Sequence, residues 1–380
     1  MDFYRHAVSF PGLGIGEFEI NQTAFTIPGI DWPIRWYGVI IAAGFLLAIL
    51  YILKRTRTFG LDADRVLDVI IGAVIGGIVG ARLYYVIFSW EIYADDPISV
   101  FYLWKGGIAI YGGVIGGFLV GYLICRWRKV KFLPMADLAV GGLILAQSIG
   151  RWGNFVNIEA FGSNTTAPWG MAGPAVRQYL ASHQAALAAQ GVVVDPSLPV
   201  HPTFFYESAW CLLGFLFIAW YTKRRRFDGE LALVYAAWYG AGRAVIEGLR
   251  TDSLMWGSVR VSQALAVVLV IAALAVEVWV RGRIRAHAGA PDYLKLYVDT
   301  EEGQAVLAGT FYQQAEAKAP EPSEASGAGE EPASPEPLET GADASEEAAI
   351  AGGPAGDTPE ENEEPETTDG EDDEDAGKAD

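Results

Sequence analysis

Long apolar blocks dominate the first 280 residues of the chain. Each block has roughly 18 to 23 residues, close to the ~20 that a helix needs to cross a bilayer. Seven such blocks are present, at residues 36–53, 66–88, 108–125, 133–150, 203–222, 230–249 and 259–280. Only helices and closed barrels satisfy their backbone hydrogen bonds in lipid, so the pattern predicts an all-α membrane protein with seven transmembrane helices.

Positive charge follows every second block. The basic clusters are Lys54, Arg55 and Arg57 after the first span, Arg126 to Lys131 after the third, Lys223 to Arg226 after the fifth, and Arg281 to Arg285 after the seventh. Positively charged loops stay in the cytoplasm. We therefore expect the N-terminus outside, the C-terminus inside, and the loops 90–107, 151–202 and 250–258 on the outer side.

The net charge of −19 comes from the end of the chain. Residues 301–380 hold 25 acidic residues and two lysines, whereas residues 1–300 hold 25 basic and 21 acidic residues. A segment so acidic and so poor in aromatic residues cannot bury enough surface to fold. We expect an extracytoplasmic segment at 1–30, a membrane domain at 31–290 and a cytoplasmic, mostly disordered acidic tail at 291–380. A solvated tail is favoured over one that binds a basic partner, and nothing indicates nucleic-acid binding.

Cysteine and histidine give no sign of a disulfide or a metal. Cys125 and Cys211 fall at different depths of the predicted bilayer, too far apart to bridge. The four histidines are scattered without the spacing of metal ligands. We therefore predict packing roles for both cysteines, no metal, no cofactor and a monomeric protein.

Glycines recur at four-residue spacing in two of the predicted spans. Gly76 and Gly80 form such a pair in the second span, and Gly112 and Gly116 form one in the third. In membranes such pairs let helix backbones approach closely. The second and third spans are therefore predicted to pack against each other.

A polar segment, GRWGNFVNIEAFG, ends the fourth predicted span at residues 150–162. It places Arg151, Asn154, Asn157 and Glu159 at the membrane boundary, where lipid penalises polar side chains. Polar groups kept in such a place usually serve function. The segment is therefore the first candidate for a functional site.

Two other outward-running spans bring arginines to the same level. The sixth span carries Tyr239, Arg243 and Glu247 at four-residue spacing, hence on one helix face, with Arg250 just beyond. Arg82 lies about 9 Å from the outer end of the second span at the helical rise. The outer ends of these spans lie at the level of the phospholipid headgroups.

Guanidinium groups grip phosphate oxygens in a bidentate way that lysine cannot match. Arg151, Arg243, Arg82 and Arg250 therefore predict a phosphate site open to the outer leaflet. The alternative is that an arginine only extends to the interface or pairs with a neighbouring carboxylate. For Arg82 and Arg250 the two interpretations weigh equally.

Several motifs together resemble those of the prolipoprotein diacylglyceryl transferases, enzymes of the bacterial inner membrane. Besides GRWGNFVNIEAFG these are RWYG at 35–38, GGIAIYGG at 106–113, HPTFFYES at 201–208 and YGAGRAVIEGLR at 239–250. They stand in the same order as in that family, and the similarity extends over roughly residues 30–285. The resemblance implies transfer of a diacylglyceryl group from phosphatidylglycerol to the lipobox cysteine of a preprolipoprotein. A thioether forms and glycerol 1-phosphate leaves, in the first step of lipoprotein maturation.

The resemblance also implies roles for individual residues. Arg151 and Arg243 match the arginines on which activity rests, and Arg151 matches the one assigned to phosphatidylglycerol. Other matching positions are Asn154, Glu159 and Gly162 in the signature and Tyr37, Tyr239 and Glu247 in the first and sixth spans.

Tyr111 departs from the family, many of whose members carry a histidine there. A phenol gives up its proton only at alkaline pH, whereas an imidazole titrates near neutrality. Tyr111 is therefore expected to bind substrate rather than to act as a base. His201 is the only histidine near the predicted site, but Glu159, Glu207, Glu247, water or phosphate are equally open as proton acceptors.

The outer segment 163–200 includes an Ala- and Gln-rich stretch at 178–190 that predicts a short surface helix. With residues 1–30 it is expected to form a small cap that receives the signal peptide. Two other classes stay open from the residues alone: a transporter or channel, and a non-catalytic phospholipid-binding protein. A transporter would more often show repeated halves or broken helices at mid-membrane.

Overall fold

A computed structural model describes residues 6–189, 191–251, 255–256, 259–290 and 293–317. This part of the chain forms ten α-helices, numbered α1 to α10, and six short strands, β1 to β6. The strands form three antiparallel two-stranded hairpins. The protein is therefore built mainly from helices, as the apolar blocks predict.

Six helices are long and apolar enough to cross a membrane. They are α1 (Trp36–Arg55), α2 (Ala63–Phe88), α3 (Ile110–Trp127), α4 (Phe132–Asn157), α6 (Thr203–Tyr221) and α8 (Val261–Ala286). The remaining predicted span is α7, Glu230–Ile246, a helix of 17 residues that continues into a 3-10 turn at Glu247–Leu249. Each of the seven apolar blocks is thus helical, and six meet the length of a membrane span. The chain is a multi-pass membrane protein.

Helices α2 and α3 meet along the glycines. A Cβ atom added at Gly80 would lie 2.5 Å from the Gly112 oxygen, and one added at Gly116 would lie 2.3 Å from the Gly76 oxygen. No side chain fits between these backbones. The predicted close packing of the second and third spans is confirmed.

Many large apolar side chains of the bundle point outward, although the bundle also has a buried apolar core. Leu46, Ile75, Phe118 and Leu213, for example, are more than half exposed. In water this would be an unfavourable surface, but in a bilayer the same side chains face lipid. Cys125 and Cys211 are both free and buried inside, as predicted.

A small cap covers one end of the bundle. It contains the hairpin of β1 (Ala7–Phe10) and β2 (Ile15–Glu19) and the helix α5 (Pro174–Ala189), which includes most of the predicted surface helix. Val8, Met171, Val176 and Leu180 form its buried core, separate from that of the bundle. The cap therefore has its own apolar interior.

Two further hairpins were not predicted. One joins β3 (Thr23–Ile27) to β4 (Trp32–Arg35) and leads directly into α1; the other joins β5 (Met255–Trp256) to β6 (Val259–Arg260) before α8. The first turns through Gly29 and Asp31, both at positive φ. These hairpins fix where α1 and α8 begin.

The opposite end of the bundle carries the basic clusters and the last described residues. Helices α9 (Glu301–Leu307) and α10 (Thr310–Ala317) lie within the segment predicted to be mostly disordered. The Tyr297 amide donates to Asp228 Oδ2 at 2.6 Å, and Lys131 Nζ lies 2.9 Å from Glu302 Oε2. Residues 297–317 are therefore ordered against the bundle, whereas the rest of the predicted tail, 318–380, lies outside the described residues.

Candidate functional site: an arginine-lined cavity

A cavity of about 670 Å³ opens at the cap end of the bundle, opposite the basic clusters. The N-terminal ends of α1, α3 and α8 and the C-terminal ends of α4 and α7 surround it. Its polar lining is Tyr37, Tyr111, Gln147, Arg151, Asn154, Tyr239, Arg243, Arg250 and Ser262. Most of the predicted site residues therefore converge on one space.

Glu207 joins three arginines beside this cavity. Its carboxylate lies 2.5 Å from Arg151 Nη2, 3.1 Å from Arg250 Nη1 and 3.5 Å from Arg243 Nη1. Glu207 itself is only 4% exposed. One carboxylate from α6 thus orients guanidinium groups that come from α4, from the end of α7 and from the turn that follows it.

A second buried carboxylate holds Arg243 from its own helix. Arg243 Nη2 lies 2.7 Å from Glu247 Oε2, one helical turn further along. Arg260 donates through Nη1 to the backbone oxygens of Glu247 and Arg250, at 2.5 and 2.7 Å. These bonds fix the end of α7 and with it the start of the Arg250 segment.

The cluster is rich in guanidinium groups. Those of Arg151, Arg243 and Arg250 meet the carboxylates of Glu207 and Glu247. The Arg151 and Arg243 side chains stay about one fifth exposed and line the cavity. In a space of low dielectric constant such guanidinium groups favour an anion such as a phosphodiester.

Asn154 extends this network towards the outer surface. Arg151 Nη1 donates weakly to Asn154 Oδ1 at 3.5 Å, and Asn154 Nδ2 donates to Glu159 Oε1 at 2.8 Å. The chain reverses there because Ile158 and Ala160 take positive φ and end α4. The reversal explains why a carboxylate five residues after Asn154 returns to it.

Three tyrosines complete the polar wall. Tyr37 and Tyr239 line the cavity from α1 and α7, and Tyr111 lines it from the first turn of α3. The Tyr111 hydroxyl lies 3.5 Å from Ser262 Oγ on α8. The Tyr37 ring packs on Gly153, where a Cβ would approach its Cδ2 atom to 2.8 Å. Gly153 therefore sets how close Tyr37 comes to the arginines.

Below the arginines the wall becomes apolar. Ile41 and Phe45 of α1 and Leu265 and Leu269 of α8 line this part. The cavity thus has a cationic mouth and a hydrocarbon interior. This division matches a molecule with an anionic head and apolar tails.

Arg82 lies at the same end of the bundle but outside the cavity lining. Its guanidinium donates to the backbone oxygens of Ser99, Val100, Gly106 and Gly107 at 2.6 to 2.8 Å. The side chain is 6% exposed. Arg82 therefore holds the loop between α2 and α3 through hydrogen bonds to its backbone, and its guanidinium is not directed into the cavity as a phosphate ligand would be.

Gly162 and His201 also lie outside the lining. The Gly162 amide donates to the His201 oxygen at 2.9 Å, and a Cβ on Gly162 would lie 2.9 Å from the Leu249 oxygen. Gly162 therefore permits the close approach of the signature segment to the Arg250 segment, with which it forms a β-bridge.

His201 faces a phenol instead of the cavity. Its Nδ1 atom lies 3.2 Å from the Tyr206 hydroxyl. Partial burial lowers the pKa of the His201 imidazole. The His201 side chain faces Tyr206 and not the arginines. Its role as proton acceptor therefore stays a prediction.

Four residues of the site were missed or underrated from the sequence. Glu207 was only one of several candidate bases, and Arg260, Gln147 and Ser262 gave no functional signal. A glutamate in the first apolar turns of a span is itself a signal, because a buried carboxylate needs a cationic partner. Arg260 carried no such signal, since its partners are backbone oxygens.

Comparison with known proteins agrees with this geometry. Residues 22–279 match the model of the family described as prolipoprotein diacylglyceryl transferase. A phosphatidylglycerol–prolipoprotein diacylglyceryl transferase of Clostridioides difficile (strain 630) is 39% identical over 260 residues, which are 68% of this chain and 95% of the relative. Proteins of the same name from Staphylococcus haemolyticus (strain JCSC1435) and Listeria monocytogenes (strain EGD-e) are 40% and 41% identical. These two matches cover 69% and 71% of this chain, and 89% and 93% of the relatives.

Proposed function

Because this chain belongs to the prolipoprotein diacylglyceryl transferase family, we propose that it transfers the diacylglyceryl group of phosphatidylglycerol to a prolipoprotein. The acceptor atom is the sulfur of the lipobox cysteine. The observation that carries the proposal is the convergence of Arg151, Arg243 and Arg250 on Glu207 at the mouth of an apolar cavity. The protein works as a monomer in this proposal.

The lipid fits the cavity in one orientation. Its phosphate lies at the arginines, and its acyl chains lie along the apolar wall below them. The basic clusters at the other end of the bundle favour the cytoplasmic side. The cavity then opens at the outer leaflet of the bacterial cytoplasmic membrane, where the acceptor cysteine arrives after translocation.

The reaction displaces a phosphate ester from carbon. The cysteine sulfur attacks the terminal glyceryl carbon of the diacylglyceryl group, a carbon–sulfur bond forms, and the bond between that carbon and the phosphate oxygen breaks. Glycerol 1-phosphate leaves with that oxygen, and the thiol proton passes to a base, to water or to the released phosphate. Atoms and charge balance without a cofactor.

The arginines act on both charges of this reaction. Nearby cations lower the pKa of a thiol and so raise the fraction of thiolate. Arg151 and Arg243 also face the charge that develops on the leaving oxygen, where preoriented donors act most strongly. Holding lipid and thiol in one cavity removes much of the entropic barrier to their meeting.

The carboxylates near the mouth have different environments. Glu207 and Glu247 form ion pairs with arginines, whereas Glu159 is exposed and accepts hydrogen bonds from two asparagine amides. Glu159 is therefore the carboxylate best placed to receive a proton from the outer side. Tyr111 and Tyr239 serve as hydrogen-bonding walls for the lipid headgroup in this proposal.

The test uses the purified chain, phosphatidylglycerol in mixed micelles and a lipobox peptide. Arg151→Lys and Arg243→Lys keep the charge but remove the bidentate fork, so each is expected to lower the transfer rate about 100-fold. Arg283→Lys, an exposed position at the other end of the bundle, is the matched control and is expected to keep the full rate. Mass spectrometry of the peptide and release of glycerol phosphate provide two independent readouts.

Two outcomes would contradict the proposal. An active-site function is excluded if the parent chain neither lipidates the peptide nor releases glycerol phosphate. A bidentate role is excluded if both lysine variants keep the full rate.

A further inference from the structure

A second cavity of about 530 Å³ lies beside the first on the outer side. Its six lining residues are Gln22, Arg35, Tyr37, Gly38, Asn157 and Glu159, and we call it the outer polar pocket. It lies between the base of the β3–β4 hairpin and the end of α4. Tyr37 lines both cavities, so one aromatic ring forms the partition between them.

The outer polar pocket has both signs of charge. Arg35 Nη1 donates to Gln22 Oε1 at 3.1 Å on one side, and Asn157 Nδ2 donates to Glu159 Oε1 at 3.3 Å on the other. Within the described part of the chain no ion pair joins Arg35 to Glu159, and both are exposed. The pocket therefore offers a cation, an anion and two amides at separate positions.

This lining differs from that of the arginine-lined cavity. Among the described residues, three arginines and no carboxylate line that cavity, whereas one guanidinium and one carboxylate line the outer polar pocket. A neutral lining with separate donors and acceptors suits a polypeptide backbone, whose amides and carbonyls alternate. It gives little attraction to a free phosphate.

We propose that the outer polar pocket binds the acceptor polypeptide just after its reacting cysteine. The inference rests on the proposed function and adds the location of the second substrate. The cysteine side chain then reaches past Tyr37 to the arginines, while the next residues lie between Arg35 and Glu159. The two substrates occupy separate cavities that meet at one ring.

Asn154 connects the two cavities. It accepts from Arg151 on the lipid side and donates to Glu159 on the peptide side. A peptide that engages Glu159 therefore acts on the same hydrogen-bonded chain that holds Arg151. Arg35 and Gln22 stand outside this chain, which makes them suitable positions for testing peptide binding alone.

Disulfide capture locates the peptide directly. The peptide carries serine in place of the reacting cysteine and one cysteine two residues later, and the chain carries Gln22→Cys. Cross-linking under mild oxidation is expected to exceed that of Thr26→Cys, an exposed position on the same hairpin, at least about tenfold. The native Cys125 and Cys211 are buried and serve as internal controls. Phosphatidylglycerol in the micelles is expected to leave the cross-link unchanged, because the lipid has its own cavity.

Kinetics provide an independent measurement. Arg35→Gln is expected to raise the KM for the peptide about fivefold, the worth of about one hydrogen bond. The KM for phosphatidylglycerol is expected to stay within twofold. Arg285→Gln, an exposed position at the basic end of the bundle, is the matched control and is expected to leave both values unchanged.

The outcomes separate this inference from the proposed function. If the parent chain lipidates the cysteine peptide but Gln22→Cys captures no more than Thr26→Cys, only the peptide location is wrong. If phosphatidylglycerol abolishes the capture, or Arg35→Gln raises the KM for the lipid instead, the pocket belongs to the lipid headgroup and the inference fails. If the parent chain lipidates nothing, both proposals fail.

Discussion

Both ends of the membrane bundle bury arginines with carboxylates, yet they differ in balance and in access. At the cap end, Arg151, Arg243 and Arg250 share Glu207 and Glu247, and a cavity opens beside them. At the basic end, Arg281 meets both Glu230 and Glu277. The cap-end cluster thus joins three arginines to two carboxylates beside a cavity, whereas the Arg281 group joins one arginine to two carboxylates.

The way each carboxylate is satisfied explains the difference. Glu230 is fully buried and also accepts from the Tyr221 hydroxyl and from the Arg226 amide. Asp137 accepts from the amides of Gly229 and Ala232. Backbone donors before and within the first turn of α7 thus hold Glu230 and Asp137 at the basic end, whereas Arg151 and Arg243 at the cap end face a cavity. The same residue types stabilise the fold at one end and form a candidate anion site at the other.

The largest expected effect comes from removing the shared carboxylate at the cap end. Glu207→Gln keeps the size of the side chain but leaves three arginines without their common anion, so kcat is expected to fall about 100-fold. Guanidinium groups that lose their orientation stabilise the leaving oxygen less, and the loss of one preoriented donor typically lowers kcat by about 100-fold. Transfer assays with saturating lipid and peptide measure it. A kcat within threefold of the parent value would show that the arginines hold their positions without Glu207.

The equivalent change at the basic end is expected to affect stability instead. Glu230→Gln weakens the contacts of Arg281 and Tyr221 and is expected to lower the stability of the fold by about 3 kcal/mol. Thermal unfolding in detergent, followed by tryptophan fluorescence, measures the shift in Tm. Transfer per folded molecule is expected to equal that of the parent chain. A drop in kcat as large as that of Glu207→Gln would remove the distinction between the two ends.

A smaller effect is expected from Gly162→Ala, which tests whether backbone packing aims Arg250. The added methyl group meets the Leu249 oxygen at 2.9 Å and the His201 Cβ at 2.8 Å, so the two segments must separate. We expect a loss of about tenfold in kcat/KM and about 2 kcal/mol in stability. Gly282→Ala, where a Cβ meets no atom within 4 Å, is the control at the basic end. Equal behaviour of the two variants would exclude a packing role for Gly162.

The smallest expected effect is the response of the cap to pH. Burial lowers the pKa of His201 in the folded protein, so the unfolded chain binds more protons below the ordinary value of 6.5. The contribution of His201 to stability is therefore present above pH 6.5 and is lost as the pH falls. Tm measured from pH 7.5 to 5 is expected to decrease less in His201→Gln than in the parent chain. Parallel curves would show that His201 does not titrate with folding.

Several features of the fold and site were accessible from the sequence. Depth along a helix follows from counting residues, so Arg151, Arg243 and Arg250 were placed at one level, and the structure brings them together. The close packing of α2 and α3 was predictable, because glycines at four-residue spacing let two helix backbones approach closely. Six of the seven predicted spans followed from their apolar length, whereas α7 is shorter than a membrane span.

The features that the sequence did not predict depend on where a side chain points, not on how deep it lies in the membrane. Arg82 stands at the expected level, but its side chain turns to carbonyls of the following loop, and backbone oxygens leave no trace in a sequence. The choice of Glu207 among several acidic residues depends on the rotation of α6 about its axis. The hairpins before α1 and α8 depend on turns at positions such as Asp31, a residue with positive φ that has no fixed sequence signature.

The sharing of Glu207 among three guanidinium groups also has a thermodynamic consequence. When one arginine is replaced, the carboxylate moves towards the other two, so the losses from single substitutions will not add up in a double mutant. The three arginines behave as one cooperative unit. A substitution at any one of these positions is therefore expected to change the contacts of the other three.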